Sequence, residues 1–179
     1  GGKYVMKILV VIDMQNDFTS GVLGNKECEE VVPKIVDIIN KEDYDEIYLT
    51  RDTHTDNYLK TQEGKKLPVK HCIKGTEGWQ IRKEIMDAVK DKLFYIIDKP
   101  AFGSLKLAED MKTAYEDKQE NLEIILVGVC TGICVISNAM ILKAALPEAV
   151  ITVKKDACAC VTPESHKTAL DAMKMCHIN

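Results

Sequence analysis

The stretch GVCTGICVISNAM, residues 128–140, carries two thiols on either side of a bend. Cys130 ends an apolar, strand-like run, and Cys134 begins a helical one. A cysteine at a helix N-terminus meets free backbone N–H groups and the positive end of the helix dipole, which favour a thiolate. The same N–H groups can hold an oxyanion when sulfur attacks a carbonyl. This assigns attack to the sulfur of Cys134 and the oxyanion hole to the main chain of Cys130 and Cys134. Taken singly, either cysteine reads better as a buried small hydrophobe. Asp13 and Lys99 change that weighing. Asp13 closes KILVVID and Lys99 closes KLFYIIDK, and a charge at the end of an apolar strand is costly unless paired. Beside a thiol, such a pair supplies a base and a cation. Asp13 can take the thiol proton and return it to a leaving group, while Lys99 favours both anions. The plain alternative is an ion pair that fixes strand ends.

A second cluster lies in RDTHTDNYLKTQEGKKLPVKHC, residues 51–72. Asp52 and His54 at a strand end, with His71 later, can present one carboxylate and two imidazoles to a divalent ion. Alone this is a weak signal, because Asp-x-His is often an Asx turn with a surface histidine. The stretch is also long and polar for a plain connector, which suggests a binding loop.

These residues need a frame that brings them together. KILVVID (7–13), EIYLTRD (46–52), KLFYIIDK (92–99), LEIILVGV (122–129) and AVITVKKDA (149–157) read as strands. Helical patterns run over 28–40, 76–90, 104–118, 134–147 and 162–175, with Ser104 and Thr162 as N-caps and Pro163 at the first helical position. The alternation implies one α/β domain of three layers over residues 1–179, with a mostly parallel sheet of five or six strands and helices on both faces. Ligands in such folds bind beyond the carboxyl ends of the strands. Asp13, Asp52, Lys99 and Cys134 all fall at that edge.

The formal net charge of -4 argues against a nucleic-acid binder. No apolar run approaches the roughly 18–20 residues of a membrane helix, and KILVVI is too short for a signal peptide. The chain has seven cysteines and no C-x-x-C, which suits reduced thiols in a cytoplasmic protein. Residues 1–5 read as appended, with Met6 near the native start.

VVIDMQNDF (10–18), KPAFGS (99–104), GVCTGICV (128–135) and DACACVTPESH (156–166) occur together in this order. On these motifs the chain resembles the isochorismatase-like cysteine hydrolases over nearly its whole length, and the resemblance implies that fold. It also implies an Asp–Lys–Cys catalytic set at Asp13, Lys99 and Cys134, and a cis peptide at Val129–Cys130. The nicotinamidase/pyrazinamidase-like branch carries an Asp-x-His…His metal set, which falls on Asp52, His54 and His71, with Glu63 as a candidate fourth ligand. HCIKGTEGW (71–79) is similar to the segment after that last ligand. Phe18 and Phe102 are then placed to line the substrate pocket, although either suits a core. Many nicotinamidases have an aromatic residue before the proline that precedes the last histidine, whereas this chain has Leu67–Pro68. One pocket wall would be aliphatic.

The expected activity is hydrolysis of nicotinamide to nicotinate and ammonia through a thioester on Cys134, in NAD salvage. A divalent ion is expected in the pocket, zinc first, with manganese or iron as alternatives. The expected partners are a small amide and further copies of the chain in a dimer or tetramer, with no nucleic acid and no membrane. Another small amide as substrate is the nearest rival, followed by a non-catalytic ligand binder on the same fold. A thiol redox protein is disfavoured by the missing C-x-x-C. Trp79 reads as structural at a helix start, His166 and His177 as surface residues, and either Cys158 or Cys160 as a residue that could line the site.

Overall fold

The computed structural model describes residues 4–179, so the reading of Gly1 and Gly2 as appended lies outside it. Five strands, β1 (Met6–Ile12), β2 (Glu46–Asp52), β3 (Phe94–Lys99), β4 (Leu122–Val129) and β5 (Val150–Ala159), form one parallel sheet in the order β3-β2-β1-β4-β5. The carboxyl ends of all five therefore lie along one edge. The chain ends beside β5, where Val153 N–H donates to Asn179 O and Asn179 N–H donates to Ile151 O.

Central β1 reads as an unbroken apolar run because both of its faces are covered. Ile8, Val10 and Ile12 pack with Leu107, Met111, Leu142 and Met173. These come from α5 (Leu105–Tyr115), α6 (Ile136–Ala145) and α7 (Pro163–Met175). Leu9 and Val11 face the other way, against Val31, Val32, Ile35, Ile39 and Ile85, from α2 (Lys26–Lys41) and α4 (Lys83–Val89). Each such aliphatic side chain contributes about 1.5–3 kcal/mol by leaving water. The two remaining helices, α1 (Asn16–Thr19) and α3 (Gln62–Lys66), are single turns near the sheet edge. Ser104 caps α5 and Thr162 caps α7, each accepting from a backbone N–H three residues on.

The helical pattern over 76–90 overruns the helix observed. Residues 76–82 are turns and only α4 is helical. Their backbone is used elsewhere: Gly78 O and Gln80 O accept from Asp17 and Asn16, and Arg82 N–H donates to Met14 O. Those tertiary bonds tie the segment to the loop after β1 and outweigh its helical periodicity. Trp79 accordingly sits in a turn, where its indole N–H donates to Thr53 Oγ1 at 2.8 Å and the Arg51 guanidinium lies 3.6 Å above its ring. The helix over 134–147 also begins differently. A widened turn, Thr131–Val135, precedes α6, so Cys134 lies within the first turn and not at its first residue.

Candidate active site

Asp13 follows the last residue of β1 with φ at +52°. That conformation costs a non-glycine residue about 1–3 kcal/mol and persists only when surrounding contacts enforce it. Here the Asp13 N–H is shared between Thr50 O at 3.2 Å and Thr50 Oγ1 at 3.1 Å, and the Thr50 hydroxyl donates to Asp13 Oδ1 at 2.7 Å. Lys99, registered beside Asp52 at the ends of β3 and β2, reaches over the sheet edge. Its Nζ lies 2.7 Å from Asp13 Oδ2, 3.5 Å from Cys134 Sγ and 3.8 Å from Asp52 Oδ1, and donates to Ala101 O at 3.0 Å. Asp13, Lys99 and Cys134 are all buried. The three residues expected to act together are thus in one cluster.

Burial pushes the Asp13 carboxyl above its usual range, with Lys99 opposing. Burial also pushes the Cys134 thiol well up, Asp13 adds to this, and Lys99 opposes. For Lys99 burial works against the ammonium, but Asp13 and Cys134 outweigh it and raise its pKa. The 2.7 Å contact of Lys99 Nζ with Asp13 Oδ2 pairs these two groups, and the thiol stands 3.5 Å from the same nitrogen. Burial thus works against the thiolate that the helix terminus favours. Asp13, in the same cluster, is the residue placed to serve as a base for it.

The turn that carries Cys134 depends on Gly128, whose φ is +123°. A Cβ there would stand 2.2 Å from Ile12 O, so only glycine lets β4 approach β1 at this edge. The next peptide but one, Val129–Cys130, is cis, as the resemblance implies. Ile133 and Val135 N–H groups both donate to Cys130 O, and Cys130 and Cys134 both line a cavity at this sheet edge.

The cysteine count does not describe a fully reduced chain. Cys130 and Cys160 form a disulfide, and Cys28, Cys72, Cys134, Cys158 and Cys176 are free. The pair is possible because β4 and β5 are neighbours and both cysteines lie at their carboxyl ends. Of Cys158 and Cys160, it is Cys160 that lines the cavity beside Cys134.

The second cluster also assembles. One ligand atom from each of Asp52, His54, Glu63 and His71 lies within 4.8 Å of the other three. His54 Nε2 stands 2.9 Å from Asp52 Oδ2 and 3.3 Å from Glu63 Oε2, and His71 Nε2 stands 3.5 and 3.6 Å from the same oxygens. Tetrahedral zinc with bonds near 2.1 Å sets its ligands roughly 3.4 Å apart, so the spacing fits such an ion. His71 Nδ1 lies 2.7 Å from Val69 O. That contact engages Nδ1 and leaves Nε2 as the ring nitrogen turned to the cluster. Burial would raise Asp52, but hydrogen bonds from His54 and His71, with the Lys99 charge, hold it well below the usual carboxylate range. Its Oδ2 faces the two imidazoles, while its Oδ1 is turned toward the Lys99 ammonium at 3.8 Å. Glu63 reaches the site from α3, in a loop that carries no strong sequence signal of helix.

Between the clusters lies a cavity of about 510 Å³. Phe18, Leu67 and Phe102 line it together with Val22, Ile133 and Val161, while Cys134, Asp52, Glu63 and His71 supply its polar end. Phe18 packs on the His71 ring with centroids 5.4 Å apart. Three further residues support these clusters. Thr50 holds Asp13 as described. Gln15 donates to Asp52 O and accepts from Asp52 N–H, both at 2.8 Å. Asn138 bonds Cys134 O at 2.8 Å, four residues back, and that spacing from a candidate nucleophile is the one sequence signal it has. His166 is half-buried rather than a surface residue, with Nδ1 2.7 Å from the Thr131 hydroxyl. His177 is exposed as expected.

The sequence pattern of the isochorismatase domain matches residues 7–178. The nicotinamidase of Saccharomyces cerevisiae is 32% identical in an alignment that covers 75% of this chain and 80% of that protein. A crystal structure of the yeast nicotinamidase bound to the inhibitor nicotinaldehyde superposes with a TM-score of 0.81 at 25% identity, over 97% of this chain and 98% of that one. The pyrazinamidase of Pyrococcus horikoshii in complex with zinc shares the fold, with a TM-score of 0.75 at 24% identity and 97% coverage of both chains.

Proposed function

The chain belongs to the isochorismatase family and is an amidohydrolase, and from that premise we propose that it hydrolyses nicotinamide to nicotinate and ammonia. The observation that carries this reading is the buried Lys99 ammonium, 2.7 Å from Asp13 and 3.5 Å from the Cys134 sulfur, at the polar end of an apolar cavity.

Asp13 takes the Cys134 proton as the sulfur attacks the amide carbon. Lys99 balances the charge that moves between carboxylate and sulfur. The N–H groups of Cys130 and Cys134 receive the oxyanion. The carbon–nitrogen bond breaks as Asp13 returns the proton to nitrogen, which releases ammonia and leaves a thioester on Cys134. Water then adds to the acyl carbon, with Asp13 accepting one proton. The sulfur–carbon bond breaks, the thiol regains that proton, and nicotinate leaves. Asp52, His54, Glu63 and His71 would hold a divalent ion, zinc ahead of manganese or iron, which supplies a Lewis-acid anchor for a ring nitrogen. Phe18, Leu67 and Phe102 flank the ring. The reading places the enzyme in NAD salvage in the cytoplasm, as a single hydrolase domain that self-associates into a dimer or tetramer.

A different small amide is the second reading. It is favoured by Leu67, an aliphatic and partly exposed wall where the resemblance leads one to look for an aromatic ring. Intact-mass analysis of protein acid-quenched during turnover separates the two. A nicotinoyl adduct on the Cys134 peptide is expected with nicotinamide. Steady ammonia release with no adduct at any quench time would contradict the thioester route.

A further inference from the structure

We propose that Asn138 is a positioning residue that fixes the Phe102 wall of the cavity relative to the Cys134 sulfur; this rests on Cys134 being the nucleophile. Asn138 is fully buried in the first turn of α6. Its Nδ2 donates to Cys134 O at 2.8 Å and to Phe102 O at 3.1 Å, and its Oδ1 accepts from Ser104 N–H at 2.9 Å. The two carbonyls demand the NH2 group and the N–H demands the oxygen, so the amide has one orientation here.

One side chain therefore joins two pieces of the site that are far apart in sequence. The first is the turn that carries the sulfur. The second is the loop 100–104, which starts at Lys99, passes through Ala101, the acceptor of the Lys99 ammonium, and carries Phe102. Phe102 is 46% exposed and has little apolar packing to hold it. Its ring position depends on its backbone, and Asn138 and the Ser104 cap hold that backbone. The loop lies close to α6 at the neighbouring residue, where a Cβ on Gly103 would stand 2.4 Å from the tip of the Ile141 side chain. The loop is seated against α6, and Asn138 supplies the directional bonds.

Asn138→Thr separates the two arms. A threonine hydroxyl in a helix bonds the carbonyl four residues back, here Cys134 O, but is too short to serve Phe102 and Ser104. The probe is N-phenyl iodoacetamide, an aromatic amide that alkylates thiols, so the test does not depend on the turnover substrate. Saturable inactivation gives KI, which reads the cavity wall, and kinact, which reads the thiol, with the adduct mapped to the Cys134 peptide. Asn138→Thr is expected to raise KI about three- to tenfold, the loss of one or two neutral hydrogen bonds, with kinact within about twofold. In a Phe102→Ala background the same substitution should leave KI unchanged, because the wall it positions is gone. Unchanged KI in Asn138→Thr, or equal KI increases with and without Phe102, overturns the proposal, as does a fall in kinact alone that follows the folded fraction by circular dichroism. Failure of the nucleophile reading is distinguishable: Cys134→Ala would then retain amide hydrolysis, and the adduct would map elsewhere.

Discussion

Substituting Lys99 by methionine keeps most of the side-chain volume and removes its charge from a buried position 2.7 Å from Asp13. At an effective dielectric near 20 the lost attraction is bounded at about 6 kcal/mol. Relief of the ammonium's own desolvation offsets part of it, and breaking a buried pair from one side costs about 3–5 kcal/mol. For a domain of this size each kcal/mol moves Tm by about 2–4 °C, so Lys99→Met should melt about 6–20 °C below wild type. The deficit depends on pH in a definite direction. Burial already raises the Asp13 carboxyl in the presence of Lys99, and without Lys99 it rises further above its unfolded value near 3.9. A carboxyl raised in the folded state stabilises that state below the unfolded pKa, and the contribution is lost as pH rises through the folded pKa. The Tm gap to wild type should therefore be small at pH 5 and large at pH 8, followed by differential scanning fluorimetry. Amide hydrolysis at pH 7.5 should fall by about 10²–10⁴, because a protonated Asp13 cannot act as base. Asp13→Asn with Lys99→Met should regain stability and not activity. A Lys99→Met protein with wild-type Tm at both pH values would refute the charged-pair description.

Removal of metal by a chelator, followed by elemental analysis on reloading, should return about one divalent ion per chain. His71→Ala and Asp52→Asn should each abolish that occupancy at micromolar metal. Wild-type Tm should rise by about 5–10 °C at a hundredfold excess of metal over its Kd, and an ion that binds the His71→Ala protein equally well would place the site elsewhere. Thiol titration in denaturant should find five free thiols without reductant and seven after reduction, given the Cys130–Cys160 disulfide. In the native protein at pH 8, burial holds the Cys28 thiol at about 11 and the Cys158 thiol at about 12. Half-buried Cys176 should label first, and rapid labelling of Cys28 would contradict its burial.

The cluster of Asp13, Lys99 and Cys134 was legible because a parallel sheet delivers strand ends to one edge. Asp13 and Lys99 are charges that terminate apolar runs, and Cys134 follows the most apolar of them. The candidate metal cluster was half legible. Asp52 and His54 sit at a strand end, but Glu63 and His71 arrive from a loop whose path is set by tertiary contacts such as the bond from Cys72 N–H to Asp17 Oδ2. The Cys130–Cys160 disulfide was not legible, because it depends on two strand ends becoming neighbours 30 residues apart in sequence. Thr50, Gln15 and Asn138 were missed for a similar reason. Each looks like an ordinary strand, turn or helix residue until its partners are in space. The helix over 76–90 failed because apolar periodicity carries no information on where Gly78, Gln80 and Arg82 send their backbone hydrogen bonds.

The central claim is tested most directly by ammonia release from nicotinamide, with protein reloaded in turn with zinc, manganese or iron, beside Cys134→Ala protein of equal folded fraction. The account predicts release by the wild type with at least one of these ions and none above background from Cys134→Ala. Equal release from both proteins would remove Cys134 as nucleophile. No release by a folded, metal-loaded wild type whose Cys134 is still alkylated by N-phenyl iodoacetamide would contradict nicotinamide as the substrate.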